Sequence, residues 1–283
     1  MRYAPTNNLL FMKCFASPQN GDVLKGFIHD VLGIKTNEVT VENPYDVRHI
    51  KKRLAHTVVD VLVRLPTGCL VTIEMQVQPQ KHYDKRALYY LTSRYASGYG
   101  DKRFIKDGSA LPDVLYASLR PVFGVNICNF DLFANNPDPL RSFTLFDTTY
   151  SVGLNEELVR MVFLQLPKAA LEGQEAIGHW LSFFRGDTCS CDAPDYIRKA
   201  RCVVEYNNLS GEERTMIDYA EMSREDAKAA RLYAWEEGFG QGADQTISQT
   251  AQHMLGQGLT LDEVCKLTGI SKARLSDLLK RRP

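Results

Sequence analysis

The stretch TVVDVLVRLPTGCLVTIEMQVQ, residues 57–78, constrains this chain more than any other. Two runs rich in β-branched residues flank Pro66, Thr67 and Gly68. Such runs read as strands, and a three-residue hairpin loop commonly puts Gly in the left-handed position. With that turn Leu65 faces Cys69, and counting back along both strands sets Asp60 opposite Glu74. Side chains on one face recur every second residue. One face then holds Val59, Val61, Val63, Leu65, Val71, Ile73, Met75 and Val77, and must be buried. The other carries Asp60, Glu74 and Gln76 beside Val58, Leu62 and Leu70. A slip of one residue would exchange the two faces, so the reading stands on the turn.

Two opposed carboxylates on a partly apolar face pose an electrostatic problem. Their β-carbons lie roughly 4.5–5.5 Å apart, and like charges there are destabilising. Burying unpaired anions is costly. A hard divalent cation such as Mg²⁺ or Mn²⁺ held between them would relieve the strain. So would a bridging Arg, or a shallow site in which both charges face water. The geometry leaves all three open.

The rest of the chain supplies the setting. Asp22 to Leu32 has apolar residues at helical spacing, with Gly33 as a stop. NEVTVEN reads as a short strand, HYDKRALYYLTSRYASGY (82–99) as a helix, and RPVFGVNICNFDLF (120–133) as a buried strand. RSFTLFD and ELVRMVFLQL read as two more strands, the second with a helical alternative. After Pro167 helical patterns take over, at Glu175 to Phe184, Pro194 to Tyr206 and Glu212 to Glu237. EEGFGQGADQ (236–245) reads as a linker or a loosened helix. The expected domains are a mixed α/β core at 1–167, a helical region and linker at 168–245, and a tail at 246–283.

Lys plus Arg equals Asp plus Glu, 34 each, so any basic surface is local. No apolar run is long enough to span a membrane, and MRYAPTNNLLFMKCFAS lacks a signal-peptide core. The number of Cys, 7, is odd and their spacing scattered, and Cys189 and Cys191 form only a lone C-x-C. Free thiols in the cytoplasm are the expectation.

A strand-borne Asp followed by Glu-x-Gln on the next strand resembles the PD-(D/E)XK nuclease superfamily. More closely, the chain resembles its recombination-promoting nuclease/putative transposase (Rpn) branch. PTNNLLFMKCFA, VVDVLV, VTIEMQVQ, YDKRALYYLTSRYASGY, LRPVFGVNICNFDLF, FTLFD, the isolated Trp180 and LTLDEVCKLTGIS match in order. The resemblance implies a restriction-endonuclease-like mixed sheet flanked by helices, and a metal-dependent DNA endonuclease. It implies Asp60 and Glu74 as ligands of Mg²⁺ or Mn²⁺, with the backbone carbonyl of Met75 as a further ligand. Gln76 stands where the wider superfamily usually has Lys, but is usual in this branch. A neutral amide there can orient a water yet adds no charge. Asn8 replaces an acidic residue of the family's opening segment.

Arg86, Tyr90 and Arg94 recur every four residues, one turn after Tyr83, and form one helical stripe. Beside a metal site such a stripe grips phosphates and stacks on bases. The alternative is a core Tyr90 with arginines solvated or paired to Asp84 and Asp101. RHIKKR (48–53) is a DNA-backbone contact or an exposed loop. In the tail, Thr260 and Glu263 make a capping-box pattern, Gly269 allows a turn, Ser271 caps a second helix, and Leu275 packs back. That spacing resembles a helix-turn-helix, whose Lys272 and Arg274 would meet DNA. The tail also suits oligomerisation, and the resemblance implies one site per chain, so that cutting both strands would suggest a homodimer. Two further readings stand beside the nuclease: a catalytically decayed DNA-binding protein of the same fold, and a scaffold built on the helical half.

Overall fold

A computed structural model describes residues 4–43, 45, 61–105, 111–154, 156–188 and 190–280. Within it two compact units are distinguished, Met1–Ile217 and Asp218–Pro283.

In the first unit six strands among the described residues form one mixed sheet. They are β1 (Thr40–Val41), β2 (Val61–Arg64), β3 (Leu70–Gln76), β4 (Val122–Cys128), β5 (Leu140–Thr144) and β6 (Val159–Gln165), in the order β1-β2-β3-β4-β6-β5. The β2–β3 hairpin has the expected register, with Val61 opposite Ile73 and Arg64 opposite Leu70. Leu65 N–H donates to the Cys69 carbonyl at 2.9 Å, closing the turn. Gly68 sits at φ +87°, and a Cβ there would lie 2.8 Å from the Phe104 ring, so the turn needs Gly twice over. ELVRMVFLQL forms a strand, β6, rather than a helix. It pairs parallel with β4 and antiparallel with β5, so its apolar run is buried as sheet.

Two layers of helices cover this sheet. Val61, Val63, Val71, Ile73, Met75, Val125, Ile127, Val162 and Leu164 join one buried core with residues of α1 (Asn8–Phe15), α2 (Gly21–Leu32), α5 (Glu175–Arg185) and α6 (Asp195–Val204), and with Met216 and Ile217 beyond them. Its centre is aromatic, with Phe15 and Phe27 ring centroids 5.1 Å apart and Phe27 and Trp180 4.9 Å apart. Asp30 pins this layer, accepting hydrogen bonds from Trp180 Nε1 and the Tyr196 hydroxyl at 2.8 Å each. The opposite face lies under α3 (Tyr83–Ala96), which packs on β4 and β6. The parallel crossover from β3 to β4 carries α3 and the short α4 (Pro112–Tyr116). Every residue of β4 is buried because both faces are covered.

The helix α7 (Gly211–Gly256) runs unbroken through EEGFGQGADQ. Three Gly there cost about 1 kcal/mol each against Ala, but a cooperative helix with strong formers on both sides carries them. Its last turns, with α8 (Leu261–Thr268) and α9 (Lys272–Lys280), enclose a small core of Ala251, Val264 and Leu275. The capping box at Thr260 and Glu263 forms, and Gly269 turns at φ +71°. Among the described residues no helix is long and apolar enough to cross a membrane.

Within the first unit, Glu213 holds the start of α7 to α1. It is buried, and accepts from Lys13 Nζ at 2.9 Å, the Tyr45 hydroxyl at 2.9 Å and Ser210 N–H at 2.8 Å. Desolvation raises its pKa, but these donors outweigh that and hold it below the usual Glu value. A depressed folded pKa contributes stability above the unfolded pKa, lost as pH falls through the folded one. Glu213→Gln should cost roughly 2–3 kcal/mol at pH 7, less than a fully severed buried pair because Gln still accepts hydrogen bonds. In urea unfolding that penalty should shrink as pH falls below about 4.

Candidate active site

The polar face of the hairpin is built from alternation. Met75, with its side chain buried, points into the apolar core, which turns Glu74 and Gln76 to the opposite face, where both are half-buried. In the parallel ladder Glu74 lies beside Asn126, and Gln76 beside Cys128. Asn126 is buried; it accepts from the Tyr83 hydroxyl at 3.0 Å and donates to the Val162 carbonyl at 3.2 Å. Gly124 leaves room for the close approach of α3, since a Cβ there would lie 3.2 Å from Leu91 Cδ1.

The helix α3 faces this strand with two parallel rows. Tyr83, Ala87 and Leu91 are buried, and Arg86, Tyr90 and Arg94 are half-buried alongside them. Arg86 Nη2 donates to Gln76 Oε1 at 2.9 Å, and Nη1 donates to Gln80 Oε1. The guanidinium lies 5.2 Å from the Tyr83 ring centroid and 5.9 Å from that of Tyr90. Gln76 Nε2 donates to the Gln78 carbonyl at 2.8 Å, so both ends of that amide are engaged. Asp101 pairs with Arg103 at 2.7 Å.

Burial raises the Glu74 pKa above the usual Glu value, against the opposing charges of Arg86 and Arg94. Desolvation thus outweighs the opposing charges of the two guanidinium groups. Burial also pushes the Cys128 thiol up to about 12, with the Glu74 charge adding to it, so Cys128 is no thiolate nucleophile.

Glu74 and Gln76 share one strand face, and Arg86, Tyr90 and Arg94 share the helix stripe that faces it. Asp60, its neighbour Val59, the RHIKKR segment and Cys189 lie outside the described residues. Among the described residues no three His, Cys, Asp or Glu side chains gather as a metal site. The available donor, Glu74, is a hard carboxylate oxygen, the ligand type that Mg²⁺ or Mn²⁺ takes. Asn8 is exposed on the first turn of α1, while the buried Asn7 caps that helix through Leu9 N–H at 2.9 Å. Lys272 pairs with Asp262 at 2.7 Å and Arg274 with Asp244 at 3.2 Å, all four on the surface of the second unit. Asn126 and Gln80 were not singled out. A polar Asn inside the apolar run VFGVNIC was a signal for the first, while Gln80 carried none.

A family model, PD-(D/E)XK nuclease family transposase, matches residues 5–234. No curated protein and no solved structure gives a match. The matched span includes the whole described sheet and α3. The chain belongs to the family of PD-(D/E)XK nuclease family transposases.

Proposed function

We propose that the protein is a metal-dependent DNA endonuclease that hydrolyses phosphodiester bonds at the polar face of β3. The observation that carries this reading is the half-buried Glu74, whose desolvation outweighs the charges of Arg86 and Arg94. A hydrophobic structural role would not place an under-compensated carboxylate beneath an arginine helix.

Asp60, Glu74 and the Met75 carbonyl would hold Mg²⁺ or Mn²⁺, Asp60 entering if the β2–β3 register continues by one residue. When bound, the ion supplies an activated water and neutralises charge on the phosphate and the leaving oxygen. The chain's own residues do the rest. Glu74 fixes a carboxylate at one point of the sheet. Arg86, Tyr90 and Arg94 present charge and ring faces to the DNA strand beside it. Lys272 and Arg274, at the first turn of α9, are proposed as phosphate contacts of the tail, exchanging their carboxylate partners for DNA. One such site per chain makes a homodimer the simplest way to cut both strands. A cytoplasmic location follows from a DNA substrate and free thiols.

Plasmid nicking tests the reading. Wild type should nick supercoiled DNA with Mg²⁺ and stop in chelator. Glu74→Gln and Asp60→Asn should each lower the rate by about 10²-fold or more, the scale of losing one transition-state contact. DNA bound without cleavage in any metal would instead favour a decayed site, which the neutral Asn8 and Gln76 would then help explain.

Loss of fold is separable from loss of chemistry. A raised folded pKa means that ionised Glu74 destabilises the folded chain at neutral pH, and that this cost fades as pH falls towards its unfolded value. In chelator, Glu74→Gln should therefore melt above wild type at pH 7, with the gain vanishing near pH 4. A variant that melts lower at pH 7 would contradict the charge argument.

A further inference from the structure

We infer that Arg86 is the group that meets the scissile phosphate beside Glu74, and that Gln76 is its positioning residue. The inference rests on the nuclease reading and assigns a cation to a strand position that carries only an amide.

Partner chemistry is the argument. Arg64, Arg103, Arg160 and Arg198 each bind a carboxylate side chain: Glu42, Asp101, Glu157 and Asp195. Arg86 is held differently, by the neutral amide oxygens of Gln76 and Gln80 and by the rings of Tyr83 and Tyr90. Neutral acceptors and ring faces fix a guanidinium without cancelling its charge. Its Nε–H is buried with no acceptor among the described residues. A guanidinium has five N–H donors, and a phosphate takes two of them side by side. Gln76 spends its oxygen on Arg86 and its Nε2 on the Gln78 carbonyl, so its amide works as a bracket between strand and helix. Arg94 also acts on Glu74, but among the described residues no such bracket holds its guanidinium.

The test uses the full chain and a short DNA duplex, with three readouts: affinity in chelator across a salt series, single-turnover cleavage with Mg²⁺, and melting temperature. Arg86→Gln should reduce the salt slope by about 0.9, the value of one phosphate contact, and cut the cleavage rate about 10²-fold. Gln76→Leu should keep the slope, since the charge remains, and lower the rate through misplacement. Adding Gln76→Lys to Arg86→Gln should recover slope and rate by supplying the cation from the strand. Arg86→Lys, charged but unable to span both glutamines, should keep the slope and lose rate, and covers the case in which Arg86→Gln melts early. An unchanged slope in a folded Arg86→Gln overturns the inference. So does wild-type cleavage by Arg86→Gln where Glu74→Gln is dead, and the nuclease reading survives that result. If no wild-type cleavage is found, the nuclease reading fails, and the slope alone then decides whether Arg86 contacts phosphate.

Discussion

The structure depends on one strand having two unlike faces. β3 puts Val71, Ile73 and Met75 into the large core and Thr72, Glu74 and Gln76 beneath α3. Burying the first set stabilises the sheet by roughly 1.5–3 kcal/mol for each large side chain. Alternation then turns the second set to the α3 side, where Thr72 is buried and Glu74 and Gln76 are half-buried. The carboxylate at Glu74 is thus held by the same backbone that holds the core, and cannot drift into solvent without moving Ile73 and Met75.

Around that strand the fold distributes polar groups unevenly. On the core side Asp30 is satisfied by Trp180 and Tyr196, and Glu213 by Lys13, Tyr45 and Ser210. On the α3 side Asn126 is satisfied too, and locks Tyr83 over the sheet. Glu74 and the arginines that face it, Arg86 and Arg94, make no salt bridge among the described residues. Such a contrast within one sheet is expected of a site and not of a packing layer.

Much of this was legible in the sequence because the turn residue was decisive. Gly68 fixed the loop, the loop fixed the register, and the register fixed which residues shared a face with Glu74. Periodicity likewise located α2, α3 and the capped tail. Local rules left alternatives open where tertiary context decides. ELVRMVFLQL reads as a strand with a helical alternative, since it has no period that separates the two, and pairing with β4 and β5 makes it a strand. The glycines of 236–245 read as a linker or a loosened helix, and helix cooperativity carries the helix through them. The bracket joining Gln76, Arg86 and Gln80 was invisible because it joins a strand, a helix and the loop between them.

The central claim is that the Glu74 face is a cation site, and Mn²⁺ binding tests it most directly. Titration of the full chain, followed by calorimetry or electron paramagnetic resonance, should find saturable binding that Glu74→Gln abolishes while its fold persists. Equal Mn²⁺ binding by wild type and a folded Glu74→Gln would contradict the account.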